Sequence, residues 1–312
     1  MTTATQRAGS AAAARPVDGG GGRQLMRDYI TLTKPRIISL LLVTTIVPMI
    51  VAQRGLPTPS LLIWTALGGY LMAGGANAIN MFIDRDIDAR MVRTALRPIP
   101  SGRLSPGHVL AFGLLLATVA FALFWYRVNA ASALLAGTGL LFYVFVYTQW
   151  LKRRTPQNIV IGGVAGAFPP LVGWAAVTGS LAPTPLILFL IVILWTPPHF
   201  WALAIVKREE YGRAMIPMAP NVWGEERTLR QMLAYTIAVV LASLAPLALG
   251  DLGVVYGALA VVLGAWFLRD ILVLRSASAR AAPAWAAYRT SLLYLALLFV
   301  AMAVDVGLSG GG

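Results

Sequence analysis

Nine stretches of mostly apolar residues divide this chain, at about 37–53, 61–83, 108–126, 130–149, 159–178, 184–205, 229–249, 252–268 and 290–308. Each is long enough to cross a bilayer as a helix, and a helix satisfies its own backbone hydrogen bonds where water cannot. Residues are 58% hydrophobic and 12% charged, with a mean hydropathy of +0.73, outside the range of a soluble domain. The expected fold class is therefore all-α, a polytopic membrane protein of nine transmembrane helices. Pro48, Pro169, Pro170, Pro197, Pro198 and Pro246 fall inside these spans and are expected to kink or open them. Residues 1–24, rich in Ala, Gly and Thr, lack the apolar content for a core and are expected to be a disordered tail, leaving 25–312 as one membrane domain. No cleavage site precedes the first span, which reads as a retained helix.

The net charge of +13 is distributed unevenly along the chain. Of the 25 basic residues, 23 fall in the N-terminal segment and in the connections after spans two, four, six and eight; Arg54 and Arg127 alone fall on the other side. By the positive-inside rule the N-terminus and these connections face the cytoplasm, the C-terminus lies outside, and the protein sits in the plasma or inner membrane. Basic residues scattered over short loops give no face for nucleic acid. Cysteine is absent, which excludes disulfides, thiolate metal sites and cysteine nucleophiles. Two histidines make a multi-His metal centre improbable.

At the cytoplasmic end of span two stands the densest group of charge, Asn77-Ala-Ile-Asn80-Met-Phe-Ile-Asp84-Arg-Asp86-Ile-Asp88, followed by Arg90, Arg93 and Arg97. In a helix Asn80, Asp84 and Asp88 are four apart and form one polar stripe, joined by Asn77, while Asp86 faces away. Stacked carboxylates repel and need a cation. Oxygen ligands at this spacing suit Mg2+, which binds through one or two carboxylates and the phosphates of a substrate. The competing reading is a solvated helix end whose acids pair with Arg85, Arg90 and Arg93. A second constellation ends span six, where His199, Glu210 and Arg213 share a helical face with Val206 if the helix continues. His199 alone also fits a side chain satisfying a broken-helix carbonyl, Lys152-Arg153-Arg154 a topology signal, and Phe142, Tyr143, Phe145 and Tyr147 a packing or interface belt.

Asn80-x3-Asp84-x3-Asp88, with Arg93-Thr94 and Arg97-Pro98, resembles the aspartate-rich motif of the UbiA-type intramembrane prenyltransferases. Lys34-Pro35-Arg36, Tyr147-Thr148, Leu151-Lys152-Arg153, Asn158-Ile-Val-Ile-Gly-Gly163 and Pro198-His199-Phe200-Trp201 narrow the likeness to the branch that farnesylates haem B, over about residues 28–305. The resemblance implies a nine-helix bundle around a central cavity open to the cytoplasm, with farnesyl diphosphate and haem B as substrates; haem B is a substrate and not a cofactor. It implies Mg2+ on the diphosphate, held by Asn80, Asp84 and Asp88, with Arg93 and Lys152 acting on the leaving group. Asn77, Lys34, Arg36, Arg97, Arg153, Asn158, His199, Glu210, Tyr211 and Arg213 are the expected substrate contacts. Glu210 stands where the family pattern has Asp, a change that keeps the charge and adds a methylene. The product would pass to a haem A synthase or a terminal oxidase assembly. A prenyltransferase with an aromatic, quinone-precursor acceptor is one alternative. A secondary transporter is the other, although its acids belong near the bilayer midplane.

Overall fold

The computed structural model describes residues 21–309, and among these every regular element is helical. In order they are α1 (Gly21–Thr33), α2 (Pro35–Gln53), α3 (Pro59–Ile83), the short α4 (Arg85–Asp88) and α5 (Pro106–Leu123), which runs on as a π-helical turn, Phe124–Val128. Then come α6 (Ala130–Leu141), continued by π-helix Phe142–Leu151, α7 (Asn158–Thr178), α8 (Pro183–Val206), and the short α9 (Arg208–Arg213) and α10 (Ala219–Val222). The chain closes with α11 (Glu225–Ser243), α12 (Ala245–Ala248), α13 (Val254–Ser276) and α14 (Ala281–Ser309).

Local chemistry sets the starts. Pro35, Pro59, Pro106 and Pro183 sit in first turns, where a missing N–H costs nothing. The side chains of Thr58, Ser105 and Asn129 accept the N–H groups of Leu61, His108 and Ser132, capping α3, α5 and α6.

Eight helices of the described chain are long and apolar enough to cross a membrane, one fewer than the nine expected. The difference is α3, which at 25 residues has the length but whose asparagines and glycines dilute its apolar content. The expected tail also ends early, because residues 21–24 belong to α1; residues 1–20 lie outside the described chain. Helices α2, α7 and α8 run through their internal prolines, whereas Pro246 lies just past the break between α11 and α12.

Helices close into a bundle through contacts that run α3 to α5, α6 to α7, α7 to α8, and α8 to both α11 and α14, with α2 bridging α7 and α14. In a lipid setting such association relies on close packing more than on burial from water. Glycine permits two of the closest approaches. A Cβ on Gly173 would lie 1.8 Å from the Thr45 carbonyl oxygen, so α7 meets α2 backbone to backbone. Gly75 and Gly113 do the same for α3 and α5, with a Cβ on Gly75 falling 2.7 Å from the Gly113 oxygen. Large apolar side chains left exposed, such as Leu115, Leu241 and Val262, point outward to the lipid. On the side away from the acidic stripe, Asp251 binds Arg54 (3.2 Å) and Thr184, tying the end of α2 to the start of α8.

Candidate active site

The stripe survives a break in its helix. Asp84 closes α3 and opens α4 (φ −86°, ψ 8°), yet its N–H still donates to the Asn80 carbonyl (2.9 Å) and the Asp88 N–H to the Asp84 carbonyl (2.8 Å). Asn80, Asp84 and Asp88 are all buried, Asp84 completely. Asp86 points away, half exposed, as its spacing requires.

Three carboxylates this close need cations, and distant segments bring them. Lys152, held just past the π-helix that ends at Leu151, donates to Asp84 Oδ2, which also accepts from the Asn80 amide at 2.7 Å. Arg97 clamps Asp88 with one nitrogen 2.8 and 2.7 Å from its two oxygens. Arg153 forks onto Asp86 at 2.8 and 2.7 Å and stands 3.7 Å from Asp84 Oδ1. This hydrogen bonding to Arg153 holds the Asp86 carboxyl below its usual pKa and raises that of the guanidinium. The solvated-end reading named other partners; Arg85 instead lies over the Phe82 ring, 4.7 Å from its centre.

Lys34 completes the group from the opposite side. It is the residue between α1 and α2, in a left-handed conformation (φ 56°, ψ 61°) that aims its amine at Asn77 Oδ1 (3.2 Å) and Asn80 Oδ1 (3.3 Å). Asn77 in turn donates to the Thr33 carbonyl at 3.0 Å, fixing the α1–α2 corner. Burial, reinforced by the nearby charges of Arg97 and Lys152, pushes the Lys34 ammonium down to about 7.

Tyr143 and Tyr147, stacked at 5.5 Å, project from the π-helix, and Tyr147 fits only because Gly162 has no side chain: a Cβ there would lie 2.2 Å from the ring. Thr148 on the same π-helix accepts a second bond from the Asn80 amide (3.2 Å). Tyr211 of α9 is buried, which raises its pKa, and it lies within the electrostatic reach of Tyr147, Arg93, Lys152 and Glu210.

Other expected contacts are not drawn in. Arg36 is exposed and has no ion pair among the described residues; Arg93 is exposed, and Arg213 pairs at the surface with Glu209 (3.1 Å). The face expected to run from His199 to Arg213 does not form, because the helix breaks at Lys207 (φ −104°, ψ 21°), which takes Glu210 as its partner at 2.9 Å. Asn158 is buried, its amide bound to the carbonyls of Thr155 (2.7 Å) and Pro217 (3.3 Å), where it ties α7 to the loop before α10.

His199 packs within the α8–α14 contact, its ring between Trp195 (4.3 Å) and Tyr288 (4.7 Å). Ser291 Oγ donates its proton to the Tyr288 carbonyl (2.7 Å), so it accepts from His199 Nδ1 at 2.7 Å and leaves Nε2 as the ring's free lone pair. Ser291 escaped the sequence reading, and Tyr147 and Thr148 entered it only within a family motif and an aromatic belt, since a lone hydroxyl or ring in an apolar run carries no local signal of what it faces.

The donor set fits a hard divalent ion. Asp84 Oδ1 is sealed from solvent without a hydrogen bond, and the amide oxygens of Asn77 and Asn80 are both turned to the Lys34 amine. No group of three or more His, Cys, Asp or Glu that could hold a metal forms among the described residues.

Buried acids ringed by lysine and arginine at one end of a bundle of apolar helices mark this as a multi-pass membrane protein with a charged site at the edge of its bundle. The chain belongs to the UbiA prenyltransferase family, whose model matches residues 41–298. It is 54% identical over 285 residues to a protoheme IX farnesyltransferase of Roseiflexus sp. (strain RS-1), covering 91% of this chain and 53% of that protein. The chain thus spans about half the length of that relative. A protoheme IX farnesyltransferase of Microcystis aeruginosa (strain NIES-843 / IAM M-2473) is 50% identical over 283 residues, 90% of each chain. Among solved structures, that of a digeranylgeranylglyceryl phosphate synthase in membranes superposes with a TM-score of 0.73 at 16% identity, over 91% of this chain and 99% of the other. A UbiA homologue from Archaeoglobus fulgidus bound to DMAPP and Mg2+ gives 0.62 at 16% identity, over 89% and 99%. At such identities these structures speak for the fold.

Proposed function

We propose that this protein transfers the farnesyl group of farnesyl diphosphate to a vinyl group of haem B, giving haem O and diphosphate, at the cytoplasmic face of a cell membrane. The observation that carries the reading is the buried Asn80–Asp84–Asp88 stripe enclosed by Lys34, Arg97 and Lys152, in a chain half identical to protoheme IX farnesyltransferases. The acceptor follows from those relatives and from the segment around His199; the positive-inside bias gives the orientation.

Asn80, Asp84 and Asp88 would hold Mg2+, which when bound supplies Lewis-acid neutralisation of the diphosphate. Lys152 and Lys34 lie beside those oxygens, so each needs only a short swing to exchange a protein oxygen for one of the diphosphate. Arg97 and Arg153, bound to Asp88 and Asp86, add charge beside the stripe. As the allylic C–O bond stretches, the electron pair passes to the diphosphate, and these fixed cations stabilise the charge where it develops. The vinyl π pair of haem B then forms a C–C bond to the farnesyl cation. The cation left next to the porphyrin takes up water, which releases a proton to solvent and leaves the hydroxyethylfarnesyl group. No covalent bond to the protein is needed. Tyr143 and Tyr147, stacked on the π-helix that carries Thr148 to Asn80, would offer π density to a cation in transit nearby. Burial of the stripe holds water off until the C–C bond is made.

Mass spectrometry of porphyrins after incubating the purified protein with haem B, farnesyl diphosphate and Mg2+ tests this directly. The mass of haem O is expected from the wild type and none from Asp84→Asn; unchanged haem B with the wild type would refute the reading.

A further inference from the structure

Helix α1 has a wider apolar arc than its protein contacts use. Leu32 and Tyr29 turn inward, Tyr29 against the Phe112 ring at 4.8 Å, and buried Asp28 takes both its oxygens to Arg103 Nε at 3.1 and 3.0 Å. The arc continues outward through Met26 and Ile30, one turn apart, which are 60% and 48% exposed. Leu25 beside them is 48% exposed. Next on the wheel come Arg23 and Arg27, also one turn apart, exposed and without an ion pair among the described residues. Ile37, in the first turn of α2, is 57% exposed, so an outward apolar side chain follows directly on α1. An apolar edge at the rim of the bundle, bordered by a row of free guanidinium groups, matches the acyl and phosphate levels of an anionic leaflet in succession.

The same helix ends on the polar site. The Thr33 hydroxyl meets Tyr70 OH at 3.0 Å, the Thr33 carbonyl accepts from Asn77, and the next residue is Lys34. Thr33 Cγ2 would lie only 3.1 Å from a Cβ on Gly74, so this corner rests tightly on α3. A shift of α1 therefore moves the Lys34 amine relative to Asn77 and Asn80.

We propose that α1 lies along an anionic phospholipid surface, with Leu25, Met26 and Ile30 in the acyl layer and Arg23 and Arg27 at lipid phosphates, and that this seating holds Lys34 over the polar stripe. The bilayer then becomes part of the diphosphate site, which tightens only when α1 is seated. The second half rests on the diphosphate reading above; the first does not.

The chain has no cysteine, so single nitroxide labels are clean. Labels on Met26→Cys, Ile30→Cys and Arg27→Cys alter exposed positions only. In phosphatidylglycerol vesicles, labels at 26 and 30 are expected to collide more with oxygen than with an aqueous nickel chelate, and the label at 27 the reverse. In phosphatidylcholine alone the contrast should shrink. Three aqueous labels would overturn the proposal, and so would labels at 26 and 30 shielded from both reagents, which would mean that residues 1–20 or a second copy cover this face. For the coupling, Met26→Asp/Ile30→Asp is expected to weaken binding of Mg2+ with inorganic diphosphate about tenfold in vesicles, within the usual span of coupling between sites. Unchanged affinity with α1 released would overturn the coupling alone, whereas a wild type that binds no diphosphate would refute the diphosphate reading and leave the label result standing.

Discussion

Replacing Lys152 by methionine separates two tasks that this residue holds. Without ligand, its amine is the nearest cation to a carboxylate with no solvent exposure at all. Removing one member of a buried ion pair costs about 3–5 kcal/mol, because the other is left charged in a poor solvent. Asp84 keeps the Asn80 amide at 2.7 Å and Arg153 at 3.7 Å, so the loss falls at the lower end, about 3 kcal/mol. The neutral double variant Lys152→Met/Asp84→Asn removes both charges and should regain most of that loss. Reversible unfolding in mixed micelles across the four proteins of the cycle measures the coupling. Turnover responds differently, since both single variants and the double should fall at least ~100-fold, as when one preorganised group facing developing charge is removed. If Lys152→Met matches the wild type in stability, or the double is as unstable as the single, then Asp84 is not held by this pair and the arrangement described for the site is wrong.

Gly173→Ala should destabilise by about 3 kcal/mol or more in the same assay, because its Cβ would overlap the Thr45 carbonyl and force α7 off α2. Gly166→Ala, on the same helix with nothing within 4 Å, should be neutral or stabilising by up to about 1 kcal/mol. Gly162→Ala displaces the Tyr147 ring and should lower turnover with little loss of folded protein, compared by parallel melting and product assays. Lys34 gives a pH signature. Its folded pKa of about 7 lies below the unfolded 10.5, so between those values the unfolded chain binds more protons and stability of the ligand-free protein rises with pH. Thermal melts of the wild type against Lys34→Met over that window should show the rise vanish in the variant. Ser291→Ala strips His199 Nδ1 of its acceptor and should cost about 1–3 kcal/mol, with the His199 ring resonances shifted by nuclear magnetic resonance.

Membrane spans are legible in this chain because hydrocarbon imposes a local rule, about twenty apolar residues at a time, and loop charge adds a second local signal. The acidic stripe is legible for the same reason: four-residue spacing is a property of one helix, and it held even across the break at Asp84. Where the local rule was incomplete, the reading slipped. Helix α3 falls short of the hydropathy of a span because the residues that form the site are polar, and α1 went unread because its apolar positions number too few to cross anything.

Partnerships obey no such rule. Arg85, Arg90 and Arg93 stand nearest Asp84 and Asp88 in sequence, yet the acids chose Arg97, Lys152 and Arg153, because the fold delivers a lysine 68 residues away, at the end of a π-helix, to Asp84. His199 shows the same division. Its presence in a Pro-His-Phe-Trp segment is visible in the sequence, but its tautomer depends on a serine 92 residues on that α14 lays against it. Sequence alone therefore determined which side chains bear charge and at which end of which helix they lie. The packing of α1, α3, α7, α8 and α14 decided which charges meet, since a buried carboxylate takes whatever cation the fold sets beside it, and sequence distance has no part in that energy.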